Sequence, residues 1–197
     1  MKKLVASVAL CVAASVHAAP VSIDFESLPA GTNPNPLLVS GASFTTVAGF
    51  NRIESAGSNF LCTSVRSTDS ADCSATLDLS FGEAVSNIGF EFFLNNTIAL
   101  GADIGDAAIY AGAVLLGTVD MIVLDTDSFT RDLVSLAGYI DVTRIVVTST
   151  DFGGVGYDNF RFDRADVGVV PEPAGLLLLL TAAGLAAATR RRTIKRN

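Results

Sequence analysis

Asp158 sits in the stretch GVGYDNFRFD, Gly154 to Asp163, a carboxylate inside a run that otherwise reads as a strand. Alternation puts Asp158, Phe160 and Phe162 on one face and Tyr157, Asn159 and Arg161 on the other. The phenylalanines want burial, and an unpaired buried charge costs several kcal/mol. Asp158 therefore needs a partner: an arginine, backbone amides or a bound cation. Calcium suits such a position because it is held by carboxylate and carbonyl oxygens. Glu26, in VSIDFE, becomes a second ligand if the first and last strands are neighbours. A structural Ca2+ on Asp158 and Glu26 is the cofactor these residues point to.

Other acidic stretches carry less chemistry. DTDSFTRD, Asp125 to Asp132, has Thr130 where a calcium-binding EF-hand loop needs glycine, and Leu136 where it needs glutamate. Asp151-Phe152-Gly153 lacks the lysine and His-Arg-Asp loop of a kinase. Asn95-Asn96-Thr97 fits a glycosylation sequon by letter only.

What is missing excludes more. The sole histidine, His17, and Cys11 lie in an N-terminal stretch that reads as a signal peptide. Lys2 and Lys3 precede an uncharged apolar run from Leu4 to Val16, and Val16-His17-Ala18 places small residues at a cleavage site after Ala18. The remaining chain has no histidine and no tryptophan, and no lysine between Lys3 and Lys195. A Ser-His-Asp triad, a histidine-bound zinc and a lysine Schiff base are thereby excluded. Between Ala19 and Val170 six arginines face nineteen carboxylates, a net of −13, which repels phosphate backbones and argues against nucleic acid as a partner.

Carboxylates alone could hydrolyse glycans, which takes two of them flanking the scissile bond. With so many present, some pair always meets that distance. Tyr110, Tyr139 and Tyr157 offer little surface for stacking sugars. The expectation is a protein that is not an enzyme, with a carboxylate-dependent glycan hydrolase and a calcium-dependent adhesion module as alternatives. Cys62 and Cys73, eleven positions apart in an exported chain, are expected to form a structural disulfide.

The elements that must position these residues are strands. VSIDFE and ATLDLSF alternate, and further strands are expected over Ser86–Leu94, Ala107–Ala111, Val114–Val119, Phe129–Leu133 and Val142–Thr148. Turn-rich segments such as LPAGTNPNP separate them. Many short strands with no helical periodicity before residue 170 predict an all-β domain over residues 19–164, a β-sandwich or jelly roll. Its core would hold Phe25, Phe81, Phe90, Phe92, Ile145 and Val147.

The chain closes with VPEPAGLLLLLTAAGLAAATRRRTIKRN. Residues 165–173 form a linker containing Pro171, Glu172 and Pro173. Residues 174–189 are an uncharged run expected to form a short transmembrane helix, about 24 Å long at ~1.5 Å per residue. The basic tail, residues 190–197, begins with Arg190, Arg191 and Arg192, which favour the cytoplasmic side. Pro-Glu-Pro, apolar span and arginines in this order resemble the PEP-CTERM sorting signal of Gram-negative bacteria. The resemblance covers about 28 residues. It implies that Pro171–Pro173 are recognised by an exosortase and that Arg190–Arg192 act as a cytoplasmic stop. Signal peptidase and exosortase would then be partners, with the membrane engaged through the C-terminal helix. IDFESLPAGT, SGASFTTV and GVGYDNFRF also resemble a jelly-roll pattern common among PEP-CTERM proteins. The implied protein is exported to the cell envelope, held transiently at the inner membrane, and then placed on the surface or in the extracellular matrix. There it would be a non-catalytic structural or glycan-associated component of biofilm or exopolysaccharide.

Overall fold

The computed structural model describes residues 20–66, 72–127, 129–151 and 153–164. The segments expected to be the signal peptide, the linker with Pro171–Pro173, the transmembrane helix and the basic tail with Arg190–Arg192 lie outside them. All described residues belong to one compact unit, Ala18–Ala165. Among them every regular element is a strand, and no helix is long and apolar enough to cross a membrane.

Twelve strands follow in chain order: β1 (Pro20–Ile23), β2 (Gly31–Asn33), β3 (Leu37–Val39), β4 (Ala42–Thr46), β5 (Phe50–Ser55), β6 (Asn59–Ser64), β7 (Leu77–Leu94), β8 (Asp103–Ala111), β9 (Val114–Ile122), β10 (Asp132–Leu136), β11 (Val142–Ser149) and β12 (Val155–Arg164). All pairings are antiparallel. The long strand β7 organises them. Its first part, Leu77–Phe81, lies between β4 and β11. Its second part, Val85–Leu94, lies between β12 and β10. The β11 register breaks between Ser80 and Val85, where the strand passes from one layer to the other. One layer runs β3-β4-β7-β11-β8-β9, and the other runs β2-β5-β6-β12-β7-β10, with β1 also on β12. The result is an antiparallel, sandwich-like sheet whose layers share a strand.

Burial explains why these segments are strands. β4 and β10 alternate strictly, with Ala42, Phe44 and Thr46 buried in one and Asp132, Val134 and Leu136 in the other. The apolar rows meet in one core that contains all six residues expected there. At its centre Phe44 and Phe160 meet edge-on at 5.0 Å, and Phe160 stacks on Phe90 at 5.3 Å. Such ring pairs add about 0.5–1.5 kcal/mol beyond area burial.

The expected pairing of first and last strands is present, with Ile23 opposite Phe160 and Pro20 opposite Asp163. The face assignment in the last strand is corrected. Tyr157 is fully buried and lies 6.2 Å from Phe90 in the core, on the same side as Phe160. Asp158 points to the opposite face. A bulge at Asn159 causes this. Tyr157 pairs with Phe92 and Asp158 with Glu91, yet Arg161 pairs with Gly89, so β12 spends one residue more than β7 over that interval. Asn159 carries the extra residue at φ +49, a left-handed conformation that asparagine tolerates better than most residues. β10 also starts later than expected, at Asp132 instead of Phe129.

Candidate functional site

The bulge moves chemistry to the outer face of the second layer. There Cys62, Gly156 and Phe93 stand in one row across β6, β12 and β7, while Asp158 and Glu91 stand opposite each other. Phe92 and Phe93 are consecutive on a strand, so one must face away from the core. Phe93 does. It meets Phe60 edge-on at 4.5 Å and forms with Cys62 and Cys73 a second, smaller apolar cluster. The Cys62–Cys73 disulfide is formed, with Cα atoms 4.8 Å apart. Gly156 is required between the two rings: a Cβ there would lie 2.4 Å from Phe93 and 2.8 Å from Phe60.

Above this row lies an open depression of about 340 Å³, lined by Glu54, Phe60, Cys73, Phe93, Asn95 and Phe129 among others. Phe129 is 47% exposed and its ring centroid is 6.1 Å from that of Phe93. Phe129 is the exposed ring of the three, Phe60 and Phe93 are buried beneath the depression, and an amide and a carboxylate complete its lining. Glu54 is itself held by Arg52 at 2.9 Å.

A polar cluster adjoins the aromatic one. Arg131 Nη2 lies 2.8 Å from Asp158 Oδ2, and Nη1 lies 3.6 Å from Glu91 Oε2. The first contact is ionic, because Asp158 Oδ2 receives no directed hydrogen bond. Arg131 also donates to Ser58 Oγ, and its guanidinium carbon stands 5.9 Å from the centre of the Phe93 ring. Asn159 completes the arrangement: its backbone N–H donates to Asp158 Oδ1 at 2.7 Å and its side-chain amide to Glu91 Oε2 at 2.6 Å. The segment that fails as a calcium loop therefore delivers both Phe129 and Arg131.

Asp158 is 1% exposed. Burial pushes its carboxyl up to about 6; the Asn159 amide and Arg131 oppose the shift, and the charges of Glu26 and Glu91 add to it. Glu26 is near enough for its charge to act on Asp158, but its Oε1 accepts the Asn59 N–H at 3.0 Å. Two of the three partners the sequence left open for Asp158, an arginine and a backbone amide, are supplied by Arg131 and Asn159. A cation on Asp158 and Glu26 would have to share Asp158 with the Arg131 guanidinium. Among the described residues no three His, Cys, Asp or Glu side chains are grouped to hold a metal.

Sequence reasoning singled out Asp158 and Glu26 but not Glu91, Arg131, Phe93 or Phe129. The Phe92-Phe93 doublet was a usable signal; the cross-strand placement of Glu91 and Arg131 was not visible without the register.

No protein-family model matches the chain, and no curated protein matches it. Among solved structures it is similar to the catalytic domain of a GH87 alpha-1,3-glucanase in complex with tetrasaccharides, with a TM-score of 0.32 and 11% identity over 80% of this chain. The chain spans 30% of the length of that structure, and a likeness of this depth assigns neither family nor activity.

Proposed function

We propose that the chain is an exported, non-catalytic component of the cell surface or extracellular matrix that associates with polysaccharide through the outer face of its second layer. The observation that carries this reading is the placement of Phe60, Phe93 and Phe129 around one open depression beside Asn95 and Glu54. Flat rings accept the C–H faces of sugars, and flanking amides and carboxylates take their hydroxyls. The burial of Asp158 supports binding over hydrolysis, because a general acid must reach the leaving-group oxygen, and this carboxyl lies under Arg131. The finer jelly-roll assignment, the PEP-CTERM signal, exosortase processing and envelope placement belong to the same proposal, on the sequence features of the two ends.

The test is to recover the protein from the envelope and medium of its own cells. Intact mass is measured, and retention on the cells' extracellular polysaccharide is compared with that of Phe129→Ala. The expected result is loss of residues 1–18 and of the segment beyond Pro-Glu-Pro, with retention that the variant weakens. A full-length tail together with no retention would overturn the reading. Release of sugar fragments by the wild type would replace it with the hydrolase.

A further inference from the structure

Asn96, between β7 and β8, and Asp151, between β11 and β12, meet at a place the proposed glycan face does not use. Asn96 Nδ2 donates to Asp151 Oδ1 at 3.4 Å, and the Gly153 N–H donates to the same oxygen at 3.0 Å. Both donors go to Oδ1. Asp151 Oδ2 and Asn96 Oδ1 are each buried and receive no hydrogen bond. Turning the Asn96 amide over does not cure this, since it would set oxygen against Asp151 Oδ1 at the same distance.

The surroundings hold the pair in place. The Asp151 N–H donates to Ser149 Oγ at 3.0 Å, and Ser149 Oγ donates to the Ile104 carbonyl at 3.1 Å. Gly153 lets the loop close on Asn96: a Cβ there would lie 2.5 Å from Asn96 Nδ2. Among the described residues no Lys or Arg pairs with Asp151. Two unpaired acceptors on one hydrogen-bonded pair of side chains, one of them on a carboxylate without a counter-charge, are costly unless a donor or a cation reaches them.

We propose that Asn96 Oδ1 and Asp151 Oδ2 are ligands of a calcium ion that ties the β7–β8 loop to the β11–β12 loop. A carboxylate and an amide carbonyl are hard oxygen donors of the kind calcium takes, with water and backbone carbonyls filling the remaining positions. One carboxylate gives a weak site, in the range of about 0.1–1 mM found for extracellular modules. This site is distinct from Asp158 and Glu26, where Arg131 already supplies the positive charge.

The experiment titrates the full chain with CaCl2, using MgCl2 as the comparison, and follows the melting temperature and the calorimetric isotherm. Calcium is expected to raise the melting temperature of the wild type more than magnesium does, and to leave Asp151→Asn unmoved. That variant should match or exceed the wild type in EDTA, because its amide can donate to Asn96 Oδ1. Asn96→Asp adds a second carboxylate and should bind calcium about tenfold more tightly, while being less stable than the wild type in EDTA. No calcium response in the wild type would overturn the proposal and leave the two oxygens to water. An undiminished response in Asp151→Asn would overturn it equally. If Asp151→Asn fails to fold, the Asn96→Asp isotherm decides, and an affinity no tighter than wild type removes the site.

Discussion

Asp158 and Glu91 face each other across β12 and β7, and the guanidinium of Arg131 reaches both, at 2.8 Å and 3.6 Å. Two carboxylates held by one arginine are an arrangement in which every member depends on the others. The buried member, Asp158, has the most to lose.

Arg131→Ala should destabilise the protein by about 3 kcal/mol at pH 7, the lower end of the cost of orphaning a buried charge. At pH 5 the penalty should shrink, because Asp158 can then take a proton. Urea denaturation at the two pH values measures this, and an equal loss at both would mean that Arg131 acts through packing on Phe93 instead.

The raised carboxyl of Asp158 fixes the sign of a pH effect. Its folded value is about 6 and an unfolded aspartate titrates near ~3.9, so between these values the folded state binds more protons. The stability it contributes is complete below about pH 4 and is lost as pH rises through about 6, a swing of about 3 kcal/mol at ~1.4 kcal/mol per unit. Subtracting the profile of Asp158→Asn from that of the wild type isolates the effect. A difference curve that is flat or rises over this window would contradict the burial of the charged group.

Reduction of Cys62–Cys73, or its replacement by two serines, should cost about 2–3 kcal/mol, the chain entropy of a loop this short. Thermal melts with and without reductant report it, and an unmoved transition would mean that the cluster of Phe60, Cys62 and Phe93 holds without the bond.

On the aromatic face, Phe129→Ala should weaken polysaccharide binding about five- to tenfold with little change in melting temperature, since the ring is half exposed. Gly156→Ala should weaken binding and also lower the melting temperature, because its Cβ must displace Phe93 and Phe60, at a cost of about 1–3 kcal/mol. Equal binding by Phe129→Ala and wild type would move the glycan contact elsewhere.

Strands with clean alternation were legible in the sequence, and so was the core they share. ATLDLSF and Ser86–Leu94 read as two strands because Gly82 and Glu83 interrupt the pattern, yet β7 runs through them. The five short strands β2 to β6 were hidden in a segment rich in turn residues. There a side-chain amide ties a strand to a turn: Asn51 Nδ2 donates to the carbonyl of Phe44 in β4 at 2.8 Å and to that of Pro34, between β2 and β3, at 2.9 Å. The site was half legible. Asp158 stood out by its neighbours, but the bulge at Asn159 inverts its face, and alternation cannot register an extra residue. Arg131 becomes its partner only through the pairing of β10 and β12 on either side of β7, a relation between distant segments.

The antiparallel pairing of β1 with β12 sets Pro20 opposite Asp163, so the chain enters and leaves this unit at adjacent points. A pull between those points does not load the β1–β12 ladder in parallel. It opens the ladder from one end, rung by rung, as a zipper opens. Mechanical resistance along that axis is therefore low, and a tether attached at both points would strip β1 from β12 before it disturbed β7.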